Sequence, residues 1–78
     1  MPTILRQGPS RFYWYSNEAD EPPHIHVDRD NLSVKFWLNS VEVARNLGFS
    51  VRELNRIRYI LNSRKAFFLE VWHEHHGT

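Results

Sequence analysis

The chain has 78 residues, of which 41% are hydrophobic and 24% charged, and its net charge at pH 7 is +1. This composition is that of one ordinary globular domain spanning residues 1–78, and it excludes a disordered or fibrous chain. There is no cysteine, which excludes disulfides, thiolate metal ligands and thiol catalysis, so a metal site would need histidine and carboxylate ligands.

Apolar runs in the sequence are short. The longest, at 12–15 and 66–69, have four residues each, whereas a membrane-spanning helix needs about 20. We therefore expect a cytoplasmic protein with no membrane segment and no secretory signal.

The first half of the chain has the alternation and the turn residues of β-strands. A Gln-Gly-Pro-Ser turn joins the first two strands into a hairpin, and an acidic loop closed by Pro22 and Pro23 precedes the third. The predicted strands lie at 3–6, 11–15, 24–28, 32–38 and 41–45, and the acidic loop lies at 16–23.

The second half changes to helical periodicity. Ser50 and Glu53 form a capping-box pattern, and Gly77 is placed to end the helix. We predict a helix over 51–74, kinked or broken near Asn62. The fold class is therefore α+β, a small antiparallel sheet of four or five strands followed by a C-terminal helix. The apolar residues that recur at helical spacing are Leu54, Ile57, Leu61, Phe68, Val71 and Trp72.

Five histidines fall in two clusters, one at 24 and 26 and the other at 73, 75 and 76. Because residues two apart on a strand project to the same side, His24, His26 and Asp28 can reach one ion together. His73 is an alternative third ligand from the helix. We predict a candidate divalent metal site formed by His24 and His26 with Asp28 or His73.

The same histidine pair allows two other interpretations. Imidazoles titrate near neutral pH, so His24 and His26 can serve as general acid and base on an RNA phosphodiester. Alternatively, they only form hydrogen bonds to the acidic loop, for example to Asp20 or Glu21. Whether the protein is an enzyme is therefore left open by the sequence.

Positive charge is concentrated in the middle of the chain. Residues 31–66 carry seven basic and two acidic side chains, a net charge of +5. A basic segment of this kind suits a phosphate or an acidic partner, although a solvated helix face is an equally ordinary explanation. The candidate binding residues are Arg45, Arg52, Arg56 and Arg58, of which the last three are expected away from the apolar stripe of the helix.

The aromatic strand at 12–15 has aromatic side chains on both of its faces. Phe12 and Trp14 share one face, and Tyr13 and Tyr15 share the other. One pair is expected to lie in the core, and the other pair is then available to stack on RNA or to contact a partner. Tyr13 and Tyr15 are the candidate binding pair.

Several segments together resemble one family of small bacterial proteins, the domain-of-unknown-function family DUF4160. The resemblance extends over essentially the whole chain, and it carries over only His24 and His26 as motif residues. The segments are Met1-Pro2-Thr3-Ile4, Tyr15-Ser16-Asn17-Glu18, Glu21-Pro22-Pro23-His24-Ile25-His26-Val27, Lys35-Phe36-Trp37-Leu38, Ala44-Arg45-Asn46-Leu47-Gly48-Phe49-Ser50 and Trp72-His73-Glu74.

Resemblance to this family implies one component of a two-gene bacterial module of the toxin–antitoxin type. We expect such a component to act through a small protein partner encoded nearby and through RNA, with oligomer formation open. The alternatives are a small metal- or histidine-dependent hydrolase or nuclease, and a nucleic-acid-binding regulator without catalysis.

Overall fold

A computed structural model of the chain describes residues 3–15, 18 and 20–77. The described residues form strands β1 (Thr3–Gln7), β2 (Ser10–Tyr13), β3 (His24–Arg29), β4 (Leu32–Trp37) and β5 (Glu42–Leu47), followed by helices α1 (Val51–Ser63) and α2 (Lys65–His76). The predicted α+β class is thereby confirmed. Parts of the predicted opening motif and acidic loop, at positions 1, 2, 16, 17 and 19, lie outside the described residues.

The strands form one antiparallel sheet in the order β1-β2-β3-β4-β5, so each strand pairs with its neighbour in sequence. Short turns connect β1 to β2, β3 to β4 and β4 to β5, and each contains a residue with left-handed backbone: Gly8 at φ 59°, Asp30 at φ 56° and Val41 at φ 55°. Glycine and aspartate are among the residues that turns of this type favour. The pairing register shifts once between β1 and β2 and once between β4 and β5, so both irregularities lie at the edges of the sheet.

The register aligns one residue from each strand in a row across the sheet. Tyr13 lies opposite Thr3 and His26, and Lys35 lies opposite His26 and Arg45. Residues directly opposite each other project to the same side of a sheet. We call this side the open face and these five residues the central row.

The helices pack against the other side of the sheet. The ring of Phe12 stacks on Phe68 at a centroid distance of 5.9 Å, and Trp14 meets Trp72 edge-on at 5.2 Å. The pair expected in the core is therefore Phe12 and Trp14. The fully or almost fully buried core residues from the strands and helices include Phe12, Trp14, Ile25, Val27, Val34, Phe36, Leu38, Ile57, Leu61, Phe68 and Trp72.

Helix α1 begins as the capping-box pattern predicts, since the Ser50 hydroxyl accepts a hydrogen bond from the Glu53 amide at 3.2 Å. The predicted break occurs two residues later than Asn62, at Arg64, whose φ is −120°. Helix α2 ends at Gly77, which has the left-handed φ of 70°. None of the helices in the described part of the chain is long and apolar enough to cross a membrane.

Candidate histidine–carboxylate site

His24 begins β3 and its side chain is completely buried. Its Nδ1 lies 3.0 Å from the Pro22 carbonyl oxygen. A carbonyl only accepts hydrogen bonds, so Nδ1 carries the proton that it donates to Pro22. The Pro22-Pro23 pair, which closes the preceding loop, therefore determines which nitrogen of His24 faces the site.

Glu18 brings a carboxylate oxygen to both histidines. Its Oε1 lies 2.9 Å from Nε2 of His24 and 3.2 Å from Nε2 of His26, and it accepts a hydrogen bond from the Tyr15 amide at 3.1 Å. The three candidate ligand atoms of Glu18, His24 and His26 lie within 4.8 Å of one another. We call these three residues the histidine–carboxylate cluster.

The approach of His24 to Glu18 is close but poorly directed. Despite the 2.9 Å separation, Nε2 of His24 is a buried nitrogen without a well-formed hydrogen bond in the described structure. By contrast, Nε2 of His26 has hydrogen-bond geometry toward the same oxygen. One buried ring nitrogen of the cluster therefore lies close to a carboxylate oxygen without a well-directed hydrogen bond.

The protonation of the cluster follows from its surroundings. Burial alone would raise the pKa of Glu18, but the neighbouring His24 and His26 nitrogens and the Tyr15 amide lower it below its usual range. Burial lowers the pKa of His26, and the nearby His24 and Lys35 add to this effect while Glu18 opposes it. Near neutral pH the cluster therefore contains an ionised carboxylate and a neutral His26.

Further side chains hold the cluster in place. Lys35 donates to Glu21 at 2.6 Å, which ties the loop before β3 to β4. The Tyr13 ring stacks on His26 with centroids 5.3 Å apart, and its hydroxyl donates to Asp28 at 3.0 Å. Burial and this bond to Asp28 raise the pKa of Tyr13 above its ordinary value. The Trp72 ring closes the inner side, 4.9 Å from the ring of His24.

The structure brings two of the four predicted metal ligands together and leaves the other two apart. His24 and His26 come together, as expected for residues two apart on a strand. Asp28 instead accepts the Tyr13 hydroxyl, and His73 lies exposed on α2 outside the cluster. The third ligand-bearing residue is Glu18, which the sequence argument missed because it considered only ligands on the strand and the helix.

The histidines also contact the acidic loop, as the non-catalytic interpretation predicted. The contact is made through Glu18, while the predicted partner Glu21 lies 3.9 Å from Nδ1 of His24. Acidic residues at 18, 20 and 21 were visible in the sequence. Which of them turns toward β3 depends on the path of the loop, and no local pattern encodes that path.

The predicted arginines are distributed over two surfaces. Arg52 and Arg56 are exposed on α1, and Arg45 is exposed on the open face of β5. Arg58 differs from the expectation because it is half-buried, donates to the Val41 carbonyl at 3.3 Å and lies over the ring of Phe36. Its aliphatic stem and planar guanidinium allow it to pack where a more hydrated lysine would not.

Of the two tyrosines predicted to contact a partner or RNA, one is exposed and the other is buried. Tyr15 is 42% exposed, whereas Tyr13 is 5% exposed although it lies on the open face. The reason is lateral packing, because Arg11 lies over the Tyr13 ring at 4.4 Å and His26 stacks beside it. Tyr13 therefore supports the cluster, and Tyr15 is the accessible aromatic residue of the pair.

The fold and the cluster together define a class of protein, a small α+β domain whose meander sheet carries two histidines and a carboxylate at one end of β3. The family model described as "Domain of unknown function (DUF4160)" matches residues 10–73, and the chain belongs to this family. The matched segment includes Glu18, His24 and His26. Searches of curated proteins and of solved structures give no match.

Proposed function

We propose that the protein is a small divalent-metal-dependent hydrolase of phosphodiesters and that the histidine–carboxylate cluster is its metal site. The observation that supports this most directly is the buried Nε2 of His24, which lies 2.9 Å from Glu18 without a well-formed hydrogen bond. A shared cation between this buried nitrogen and the ionised carboxylate would satisfy both groups.

The donor set suits a divalent transition metal. Two imidazole nitrogens and one carboxylate oxygen form the ligand set of many zinc and non-haem iron sites, with positions left for water or substrate. Metal–ligand bonds of about 2.0–2.2 Å place neighbouring ligand atoms about 3.3–3.5 Å apart. The observed separations of 2.9 and 3.2 Å need only small adjustments to reach that range.

The hydrogen bonds around the cluster suit a metal site as well. A metal-bound histidine usually donates its other ring nitrogen to a carbonyl or carboxylate, as Nδ1 of His24 does to Pro22. When bound, the ion would lower the pKa of a bound water and polarise a phosphoryl oxygen. The protein residues orient the ligands, keep His26 neutral and place Lys35 beside it in the central row, with Arg45 on the far side of Lys35.

Metal binding is the first test. Untagged protein is stripped with chelator and titrated calorimetrically with Zn²⁺ and Mn²⁺, and we expect one ion per chain. His26→Gln should abolish binding, because it removes a ligand nitrogen from a half-buried position and is less disruptive than a change at the buried His24. His73→Ala is the matched histidine control and should bind normally.

Two results would contradict the proposal. One is a folded wild type that binds neither ion at about 100 μM, since structural and catalytic sites bind far more tightly than that. The other is loss of binding in His73→Ala with retention in His26→Gln, which would place the ion at the C-terminal histidines. Cleavage of a chromogenic phosphodiester by the metal-loaded protein, absent in His26→Gln, then tests the hydrolase itself.

A role in a two-gene module of the toxin–antitoxin type is a second candidate, supported by a separate surface. Helix α1 exposes Val51 and Tyr59, each 74% exposed, beside the exposed Arg52 and Arg56. Exposed aromatic and arginine side chains on one helix are typical of protein-binding surfaces. A small acidic partner encoded nearby, in the cytoplasm, would complement this helix.

Growth of a bacterial host tests this second candidate. Induced wild type is compared with a folded His24→Ala, His26→Ala double variant and with an empty vector. Arrest by the wild type alone would support a toxin that works through the cluster. Absence of arrest together with failure of the neighbouring gene product to co-purify would contradict membership in such a module.

A further inference from the structure

We propose that the open face of the sheet binds single-stranded RNA across its strands, leading it over His26. This inference names the substrate class of the proposed metal site and in that sense rests on the proposed function. The occupant is inferred from the charge, aromatic content and position of the residues on this face.

The strand residues of the open face include four cations and two carboxylates. The pairing register places Arg6 opposite Arg11, and Lys35 opposite Arg45, on this side of the sheet. The strand carboxylates of this face are Asp28, which accepts the Tyr13 hydroxyl, and Glu42 at the start of β5. The loop before β3 adds Glu18, which lies beside His26, and Glu21, which is ion-paired with Lys35. Arg6 and Arg45 are exposed, so their guanidinium groups are available to phosphates.

Aromatic side chains alternate with these cations. Lys35 lies over the Trp37 ring at 4.7 Å, and Arg11 lies over the Tyr13 ring at 4.4 Å. Tyr15 is 42% exposed and meets His26 edge-on at 5.3 Å. Tyr13 is covered by Arg11, so Tyr15 is the exposed ring that offers a face to a base. Basic surfaces with aromatic rings hold single strands by contacting the backbone and stacking the bases.

A shallow groove connects this surface to the candidate site. It has a volume of about 390 Å³ and is lined by residues of β3, β4 and β5 that include His26, Ser33, Lys35, Trp37, Arg45 and Leu47. A ligand lying in the groove contacts His26, a member of the cluster, and also two cations. The groove therefore has the position that a substrate channel of the proposed hydrolase requires.

These features favour RNA over a protein partner or duplex DNA. The centres of protein-binding patches are usually depleted of charged residues, whereas Lys35 and Arg45 both line this groove, beside Trp37 and Leu47. A groove this shallow admits one strand and its unstacked bases. We assign RNA rather than single-stranded DNA because Ser33 lines the groove and its hydroxyl can bond the 2′-hydroxyl that distinguishes RNA.

The test is a binding measurement without metal. Fluorescein-labelled 12-nucleotide RNA is titrated with the protein in excess EDTA, so that a failed metal site and a failed RNA surface are detected separately. Three or four phosphate contacts predict that the Kd rises about 20- to 50-fold between about 50 and about 200 mM salt. An Arg11→Ala, Arg45→Ala double variant should weaken binding about tenfold.

The matched control removes the same charge from the other side. This control is the Arg52→Ala, Arg56→Ala double variant on α1, and it should change the Kd less than about twofold. Melting curves show that both double variants fold. Equal losses in the two variants, a loss only in the α1 variant, or no binding at low salt would overturn the proposal. Binding of a DNA strand of the same sequence as tightly as the RNA would overturn the assignment to RNA.

Discussion

His24 is completely buried, and each polar atom of a buried side chain is expected to have a hydrogen-bond partner. Nδ1 meets this expectation at Pro22, while Nε2 faces Glu18. A histidine that served only to hold the loop would be expected to donate to Glu18 in a well-directed bond. The asymmetry between the two ring nitrogens is the reason for assigning the residue to a binding site.

Glu53 provides a pH-dependent contribution to stability at a distance from the cluster. Its bond to Arg29 lowers the pKa of Glu53 below the ordinary value of 4.5, burial opposes this, and Ser50 lowers it further. Because the folded pKa is depressed, the contribution is present above pH 4.5 and is lost as pH falls through the folded pKa. Glu53→Gln should therefore melt a few degrees below the wild type at pH 7.

The difference between the two melting temperatures should shrink as the pH is lowered to about 3, since the wild-type carboxylate is then largely protonated. Glu70→Gln, at an exposed glutamate of α2, is the control and should follow the wild type. A difference that persists unchanged at low pH would show that the capping hydrogen bonds, and not the charge, make the contribution.

Individual side-chain partners were the least predictable feature from sequence. The joint orientation of His24 and His26 follows from strand periodicity alone, and it was predicted. The choice of Glu18 over Asp20 or Glu21 depends on the three-dimensional path of the loop. Arg58 likewise turns inward because the Val41 carbonyl and the Phe36 ring lie nearby, and both belong to distant parts of the chain.

At the scale of elements, α1 is held mainly by its buried face. Leu61 is fully buried in the core formed with the sheet and α2, while Tyr59 on the same helix is 74% exposed. Leu61→Ala should therefore cost about 2–5 kcal/mol in unfolding free energy. In a domain of this size, that cost corresponds to a fall in melting temperature of about 10–30 °C.

Tyr59→Ala is the comparison and should stay within about 0.5 kcal/mol of the wild type. Urea denaturation followed by circular dichroism measures both variants. A cost at Tyr59 that equals the cost at Leu61 would mean that the exposed face of α1 is covered in solution, for example by a second copy of the chain.

Element types were predictable because each has a strong local signal. Alternation of period two gave four of the strands, and the apolar stripe with its Ser50 cap gave the helices. The fifth strand was predicted over 41–45, whereas β5 extends over Glu42–Leu47 and Val41 takes a left-handed φ of 55°. That conformation is costly for a β-branched residue, so tertiary packing must impose it.

For the whole molecule, a bound ion would join the loop at Glu18 to the strand at His24 and His26. An ion that binds only the folded chain adds about 2.7 kcal/mol of stability at 100 times its Kd. The melting temperature of the wild type should therefore rise by about 10–20 °C in saturating Zn²⁺. Differential scanning fluorimetry with and without chelator measures this rise.

In His26→Gln the rise should disappear while the metal-free melting temperature stays close to that of the wild type. A rise of equal size in both proteins would mean that the ion stabilises the fold from elsewhere, such as the C-terminal histidines. Loss of the rise only after His73→Ala would lead to the same conclusion.

The order of the strands also bears on how the domain reaches its native state. Because β1 to β5 pair in the order in which they occur in the chain, each hairpin closes a short segment and no later strand has to insert between two earlier ones. Short loops are closed at low entropic cost, and chains dominated by such local contacts fold faster than sandwiches and barrels. A nascent chain can therefore add one strand at a time to a growing sheet, and α1 and α2 then cover its apolar side last.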